Sequence, residues 1–232
     1  MGFSRILEPE ILDRLAADDP RARASRCDLA RINFAMRQQS IMAQRLRSLA
    51  PPRRLADLGS GDGRFLLGVA RRLAVHWPKV TALIVDRQDI VSAQTRASFA
   101  ALGWQCESIA GDIFAVLPHL DAEILTANLF LHHLEEPELR QLFGLAAQQA
   151  RDFVACEPRR SQAALLGSRM VFALACNDVT RHDAVASVRA GFAGRELSRL
   201  WPGAGWQQRE GLALPFTHVF SAHLRSGQGD AL

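Results

Sequence analysis

The sequence predicts an α/β protein: a seven-stranded sheet with helices on both faces, an N-terminal helical extension, and a helical insertion before the last two strands. Three observations lead to this prediction. Five short apolar runs alternate with helix-patterned segments between residues 53 and 160. A glycine-rich stretch follows the first run, and two further strand-like runs come near the end of the sequence. Strands that alternate with helices form βαβ units, which build parallel sheets.

Composition limits the class of protein. The 232 residues suit one large domain with an attached helical piece. Hydrophobic residues at 48% and charged residues at 22% are typical of globular proteins and exclude collagen, coiled coil and disorder. The formal net charge of +4 comes from basic residues that are spread along the chain, so no nucleic-acid partner is expected. Tyrosine is absent, so no phenol group serves in catalysis.

The cysteines and the hydropathy pattern predict a cytoplasmic protein. The four cysteines are too widely spaced for a metal site, and we expect free thiols in a reducing compartment and no bound metal: Cys27, Cys106, Cys156 and Cys176. The first ten residues lack the apolar core of a signal peptide. No run of apolar residues is long enough to predict a membrane span.

The N-terminal part is predicted to be a helical cap over residues 1–52. Apolar residues recur at helical spacing through residues 8–50. Asp19 and Pro20 suit the cap and first position of a new helix, and Pro51-Pro52 ends the region. We expect the stretch around Asn33, Phe34 and Arg37 to fold over the site described below.

The second predicted domain covers residues 53–232. Its five apolar runs, each read as a buried strand, are Arg54–Leu58, Val80–Val85, Cys106–Ile109, Ala122–Ala127 and Asp152–Cys156. Segments 64–76, 89–102 and 136–150 are predicted helices, and Glu157-Pro158 is expected to halt the fifth strand. Residues 159–203 form the predicted insertion, helical through 201, and residues 205–215 and 216–224 form a terminal strand pair.

The glycine-rich stretch is the strongest motif. It includes Asp57, Gly59, Ser60, Gly61 and Gly63, and it lies between a predicted strand and a predicted helix. Glycines allow tight turns and close approach of the backbone to a ligand. A dinucleotide fingerprint needs glycine or alanine one position further on. That position is occupied by Arg64, which disfavours a nicotinamide cofactor.

This acid-x-G-x-G-x-G pattern resembles the first motif of the class I S-adenosylmethionine-dependent methyltransferases, and the resemblance extends over roughly residues 53–160. It implies a Rossmann-like sheet, S-adenosylmethionine as cofactor and S-adenosylhomocysteine as product. The resemblance implies that Asp86, with Arg87 beside it, binds the ribose. It places the adenine near Gly111, Asp112 and Ile113, and the sulfonium side of the pocket near Asn128 and Leu129.

Each acidic residue also has a simpler interpretation. Asp86 alone suits a helix cap, Asp112 suits a turn, and Asp57 suits a role in ordering the loop backbone. The joint order of all three acids with the three glycines favours cofactor binding.

Three histidines are candidates for the chemistry. His132 and His133 follow the fourth strand, where the resemblance places the transferred methyl group, and His182 lies in the insertion. Imidazole titrates near neutral pH and can accept a proton from the acceptor. The alternative is that these histidines cap or pack under helices. Arg159-Arg160 suits either an anionic substrate or surface ion pairs, and we favour the surface.

We therefore predict methyl transfer to oxygen or activated carbon of a small lipophilic acceptor, such as a phenolic, polyketide or quinone-like compound. The apolar residues of the insertion suit such an acceptor, although core packing explains them equally: Leu165, Leu166, Met170, Val171, Phe172 and Leu174. The alternatives are an RNA or protein methyltransferase, a nicotinamide-dependent oxidoreductase, and a non-catalytic relative. The oligomeric state is not predicted.

Overall fold

The computed structural model describes residues 3–16, 18–169 and 176–225. One sheet contains all seven strands: β1 (Arg54–Leu58), β2 (Thr81–Asp86), β3 (Gln105–Ala110), β4 (Ile124–Asn128), β5 (Asp152–Pro158), β6 (Trp206–Ala213) and β7 (Thr217–Leu224). The helices are α1 (Pro20–Ala35), α2 (Gln38–Leu46), α3 (Arg64–Leu73), α4 (Ala93–Ala100), α5 (Ile113–Val116), α6 (Glu136–Gln149), α7 (Gln162–Arg169) and α8 (Asp178–Ala190). Short 3₁₀ turns cover Leu12–Arg14, Leu117–His119 and Leu131–His133.

The strand order is β3-β2-β1-β4-β5-β7-β6. The first five strands are parallel, and β7 runs antiparallel to both β5 and β6. Successive residues on each strand face opposite sides, so Leu55 lies in one buried cluster and Ala56 in the other. Helices α2, α3 and α4 cover the first face, and α5 and α6 cover the second. The predicted fold class is confirmed.

The helical parts outside the sheet lie where the sequence predicted them. Helices α1 and α2 precede β1, and α7 and α8 lie between β5 and β6. Asp19 caps α1 by accepting a hydrogen bond from the Arg21 N–H, with Pro20 at the first helical position. Four apolar residues of the predicted insertion fall outside the described residues: Met170, Val171, Phe172 and Leu174. In the described ranges no helix has both the length and the apolar character to cross a membrane.

Several boundaries differ from the prediction. Strand β5 continues through Glu157 and Pro158 because both residues pair with β7. Pro158 lacks an N–H donor, but it stands opposite Thr217 at a position of the ladder that needs none, and its carbonyl oxygen accepts from the Phe192 N–H at 3.0 Å. Residues 194–200 form turns rather than helix, Phe192 forms a bridge with Arg159, and residues 8–10 are not helical. Helix α4 begins only at Ala93, where the Ser92 hydroxyl accepts from the Thr95 N–H.

Candidate cofactor site and active site

The candidate site lies where the strand order reverses. From β1 the chain proceeds outward to β2 and β3, then returns to place β4 on the other side of β1. Such a switch point leaves a crevice at the carboxyl ends of the strands, and ligands of open α/β sheets bind there. The loops after β1, β2 and β4 meet at this edge.

The loop after β1 needs its glycines for different reasons. All three have left-handed backbones, with φ of 67° at Gly59, 55° at Gly61 and 74° at Gly63. A β-carbon at Gly59 would also collide with the ring of Phe130. At Gly61 no protein atom lies within 4 Å of where a β-carbon would be. Gly61 thus presents open backbone to the crevice, which is what close approach of a ligand requires.

Asp57, in strand β1, orders the loop that follows it. Its side chain is buried, one carboxylate oxygen accepts from Ser60 Oγ at 2.6 Å, and the other accepts from Thr126 Oγ1 at 2.7 Å. Burial raises the pKa of Asp57 to about 6, against the opposing effect of these two hydrogen bonds. The contacts link the glycine loop to β4, in agreement with the interpretation of Asp57 as a loop-ordering residue.

Asp86 stands at the end of β2, facing Gly61. One carboxylate oxygen accepts from the Gly61 N–H at 2.8 Å, and the other accepts from the Gln88 N–H at 3.1 Å. Each carboxylate oxygen has two lone pairs, so acceptor capacity remains for a ligand. Arg87, the next residue, is exposed.

The turn after β3 completes the outer part of the crevice. Gly111 donates its N–H to the Asp86 carbonyl oxygen at 2.9 Å, so the β2 and β3 turns are joined. Asp112 is exposed and caps α5 by accepting from the Phe114 N–H at 2.9 Å. Ile113 is buried at the start of α5. Asp112 therefore has a local role as a helix cap, where the sequence suggested a turn residue, and its exposed carboxylate can still accept from a ligand.

The end of β4 has two unusual features. The Oδ1 atom of Asn128 is buried without a hydrogen-bond partner among the described residues. Leu129 has a φ of 53°, a conformation that costs energy for a residue with a β-carbon. The Leu129 N–H donates to the Cys156 carbonyl oxygen at 3.0 Å, which holds this turn against β5. An unpartnered buried acceptor beside a strained turn is a feature of ligand sites.

Glu157 anchors the turn that follows. This carboxylate is fully buried at the end of β5. One oxygen accepts from the N–H groups of Phe130, at 3.1 Å, and Leu131, at 2.9 Å. The other accepts from the His132 N–H at 3.3 Å and pairs with His132 Nδ1 at 2.8 Å. Glu157 therefore fixes the backbone that faces the crevice.

His132 lies between two carboxylates. Its Nε2 is 3.3 Å from Glu10 Oε1, and Glu10 also accepts from the Ser187 hydroxyl. Burial alone would lower the pKa of His132, but the hydrogen bonds and charges of Glu10 and Glu157 outweigh it and raise the pKa to about 9. Burial alone would raise the pKa of Glu10, but His132 outweighs it and lowers the pKa to about 2.

This geometry favours the alternative interpretation of His132, in which it packs under the turn and does not act on the acceptor. The side chain is 3% exposed, and both ring nitrogens are engaged by carboxylates. With a pKa of about 9 the imidazole already carries its proton at neutral pH, so it cannot accept another. His132 instead joins the turn after β4 to the segment that contains Glu10.

That segment, residues 3–16, will be called the N-terminal strap. It packs along α8: the Ile6 N–H donates to the Arg189 carbonyl oxygen, and Asp183 accepts from the N–H groups of Ile11 and Leu12. Arg5 donates to the carbonyl oxygens of Ala190, His132 and Leu134, at 2.7, 3.1 and 2.8 Å. The strap thus connects α8 to the turn after β4.

The strap should make stability depend on pH. The pKa of His132 is 6.5 in the unfolded chain and is raised to about 9 in the folded protein. The proton on His132 therefore stabilises the fold fully below pH 6.5, and this stabilisation is lost as the pH rises through about 9. For one titrating group, the linkage between protonation and folding predicts that the free energy of unfolding falls by about 3 kcal/mol over that interval. Urea unfolding between pH 6.5 and 9 measures it. We expect Glu10→Gln to flatten the profile, because it removes one of the two carboxylates that hold the proton on His132.

The matched control for this prediction is Glu8→Gln. Glu8 is also a strap carboxylate, but it pairs with the half-exposed Arg189 and does not contact His132. Its profile should follow that of the unmodified protein. Identical profiles for Glu10→Gln and the unmodified protein would disprove the link between strap and histidine.

The other two candidate histidines have different surroundings. The His133 side chain is 27% exposed, and its Nδ1 lies 3.3 Å from Asp13 Oδ2. The His182 side chain is half exposed on α8, with its Nδ1 bonded to the neighbouring Asp183 at 2.9 Å. His133 lies in the turn after β4, so of the two it is the one that the structure places next to the crevice. Roles for both in catalysis stay predictions.

Sequence reasoning missed three residues of this region. Glu157 was noted only as the end of a strand, although a carboxylate in an otherwise apolar buried strand is itself a signal of a required partner. Thr126, the second partner of Asp57, carried a weaker form of this signal, because it is a polar residue in a buried strand. Glu10 carried none, because its contact with His132 joins residues far apart in the sequence.

Comparisons with known proteins agree with this geometry. No protein-family model matches the chain. Uncharacterised methyltransferases of Mycobacterium tuberculosis and Mycobacterium bovis are each 36% identical over 92 residues, which is 38% of this chain and 43% of theirs. The match thus spans less than half of those relatives' length.

Solved structures match over nearly the whole chain. An O-methyltransferase family protein from Burkholderia thailandensis superposes with a TM-score of 0.58 and 19% identity, covering 94% of this chain and 67% of that one. The plantazolicin methyltransferase BamL gives 0.62 and 14%, covering 90% and 93%. CalO1, a methyltransferase in calicheamicin biosynthesis, gives 0.59 and 18%, covering 93% and 63%. The resemblance is confirmed: this chain has the fold of the class I methyltransferases.

Proposed function

We propose that the protein transfers a methyl group from S-adenosylmethionine to a small-molecule acceptor. The single observation that carries the proposal is the crevice at the switch point. There the open backbone of Gly61 faces Asp86, and the neighbouring strand β4 ends at Asn128, whose Oδ1 has no partner among the described residues. The structural relatives support it, since BamL and CalO1 were both solved with S-adenosylhomocysteine.

The residues present fit this cofactor. Its ribose offers two hydroxyl donors, and Asp86 has acceptor capacity left after its bond to Gly61. Its adenine amino group would meet the exposed carboxylate of Asp112 beside Ile113. Its amino-acid end carries an ammonium donor, which suits the buried acceptor of Asn128. When bound, S-adenosylmethionine supplies the electrophilic methyl group, and no nucleophile from the protein is needed.

His133 is the proposed base for deprotonating the acceptor. Its Nδ1 faces Asp13, so a proton held on Nδ1 leaves Nε2 as the acceptor for a hydroxyl or acidic carbon proton. Asp13 belongs to the strap, and the strap therefore sets the orientation of this imidazole. His182 is an alternative base on α8, with Asp183 in the corresponding position.

The acceptor is proposed to be small, with oxygen or activated carbon as the methylated atom. Helices α1 and α2, with residues 159–203, are proposed to enclose it as cap and lid. Neighbouring structures support a biosynthetic acceptor: one is a mitomycin 7-O-methyltransferase and another a pyocyanin biosynthetic protein. RNA or protein as substrate is the alternative, and strongly salt-dependent RNA binding would favour it.

Calorimetric titration tests the proposal. We expect S-adenosylhomocysteine to bind with a dissociation constant in the micromolar range, and NADH not to bind. Preference for NADH would contradict the proposal and indicate an oxidoreductase. Failure of both to bind would contradict it as well and favour a non-catalytic relative.

A further inference from the structure

A second cavity, outside the crevice, lies beyond the carboxyl end of β5. Its volume is about 500 Å³, within the range of small-molecule sites. Its walls come from the segment after β5, the turn after α8 and the hairpin of β6 and β7, and its polar side chains are Arg159, Arg160, Ser161, Gln162 and His218. None of the nine lining residues is acidic, so the polar lining is basic or neutral.

The two arginines in this cavity differ in their partners. Arg160 is buried, donates to the carbonyl oxygens of Phe3 and Gly191, and forms a two-pronged ion pair with Glu196. This corrects the expectation that both arginines lie on the surface. Arg159 is half-buried, its backbone is held by Phe216 and Phe192, and no acidic side chain of the described ranges pairs with its guanidinium.

The imidazole of the lining also has an acidic partner. His218 Nε2 lies 2.7 Å from the buried carboxylate of Glu210. Arg160 is matched by Glu196. Within the described ranges Arg159 therefore provides a positive charge without an acidic partner, partly shielded from water, where an ion pair is stronger than at an exposed surface. Helix α7 begins at Gln162 in the same wall, and its positive end adds to the potential.

We propose that Arg159 binds a carboxylate group of the acceptor and so selects acidic small molecules over neutral ones. This inference rests on the proposed function for its meaning, although the binding itself does not depend on methyl transfer. One guanidinium matches one planar carboxylate by two parallel hydrogen bonds. A doubly charged group would leave half its charge unpaired in this lining.

The position of Arg159 ties the cavity to the same strand end as the crevice. Arg159 follows Glu157 by two residues, roughly 7 Å along an extended chain. Glu157 in turn holds the backbone of the turn after β4, which faces the crevice. An acceptor whose carboxylate lies at Arg159 would therefore start from the end of β5 that anchors this turn.

The test compares two probes that differ only in charge. We would titrate 4-hydroxybenzoate and its neutral analogue 4-hydroxybenzamide into the protein by calorimetry, with and without saturating S-adenosylhomocysteine. The unmodified protein should bind the acid at least tenfold more tightly than the amide. Arg159→Gln should reduce this preference to less than twofold, and Arg159→Lys should retain part of it because the charge remains.

Arg195→Gln is the matched control, since Arg195 is exposed nearby, carries the same charge and does not line the cavity. It should keep the full preference. S-adenosylhomocysteine affinity should be unchanged in Arg159→Gln, which also shows that the variant is folded. Equal binding of acid and amide, no binding of the acid, or an equal loss in Arg195→Gln would each overturn the inference. Arg159-dependent binding without S-adenosylhomocysteine binding would uphold it and refute the proposed function instead.

Discussion

Replacement of Glu157 by alanine is expected to destabilise the protein by roughly 3–5 kcal/mol, the usual cost of removing one partner of a buried ion pair. The carboxylate is fully buried and accepts from three backbone N–H groups and one imidazole. Its removal leaves those donors without partners and leaves the His132 cation with Glu10 alone. Each unsatisfied donor adds a desolvation cost.

The effect should reach the cofactor site. The turn after β4 includes Leu129 in a left-handed conformation, and without Glu157 only the bond from the Leu129 N–H to the Cys156 carbonyl oxygen still holds it against β5. Urea unfolding at pH 7 measures stability, and calorimetry with S-adenosylhomocysteine measures the site. Glu157→Gln should be milder, because its amide oxygen still accepts from Phe130 and Leu131.

Glu136→Ala is the control for this prediction. Glu136 is exposed and forms an ion pair with Arg140 one helical turn away. Its removal should change stability by less than about 0.5 kcal/mol. A loss below about 1 kcal/mol for Glu157→Ala, inside the range of an ordinary substitution, would show that Glu157 does not anchor the turn.

Replacement of Asp86 by alanine is expected to weaken S-adenosylhomocysteine binding by roughly 100-fold or more. Hydrogen bonds to a charged group contribute roughly 1.5–3 kcal/mol each, and two ribose hydroxyls are expected on this carboxylate. The same change removes the acceptor of the Gly61 N–H, so the loop also loses an anchor. Calorimetric titration measures the affinity.

Two variants separate the ribose contacts from the loop anchor. Asp86→Asn keeps an oxygen for the Gly61 N–H but loses the charge, so most of the affinity should still be lost. Asp89→Ala removes an exposed carboxylate nearby that contacts Ser108 and Arg96 instead, and it should bind like the unmodified protein. If Asp86→Ala binds S-adenosylhomocysteine as tightly as the unmodified protein does, Asp86 is not part of the cofactor site.

The fold could be predicted because its signals are local. Buried parallel strands are short apolar runs, and the runs at β1 and β2 can be recognised without knowledge of their neighbours. The glycines of the loop after β1 are needed for backbone conformations that the structure confirms at all three positions. Strand β5 was predicted too short because its last two residues are stabilised by pairing with β7, a partner about 60 residues away in the chain.

The candidate site was only partly predictable. Asp57, Asp86 and Asn128 follow directly from strand ends, and parallel strands bring such ends to one edge. The roles of His132 and Arg159 did not follow, because each depends on which distant charges lie nearby. His132 pairs with Glu10 and Glu157. Arg160 pairs with Glu196, whereas Arg159 has no acidic partner among the described residues.

The sequence by itself determined the fold class, the glycine loop and the order of the acids that follow the strands, since each arises from a short segment and its own conformational preferences. Only the tertiary structure decided the raised pKa of His132 between two carboxylates, the burial of Arg160 and the lack of an acidic partner for Arg159 among the described residues. Those properties are set by the solvation and Coulomb energy of groups that come together only on folding.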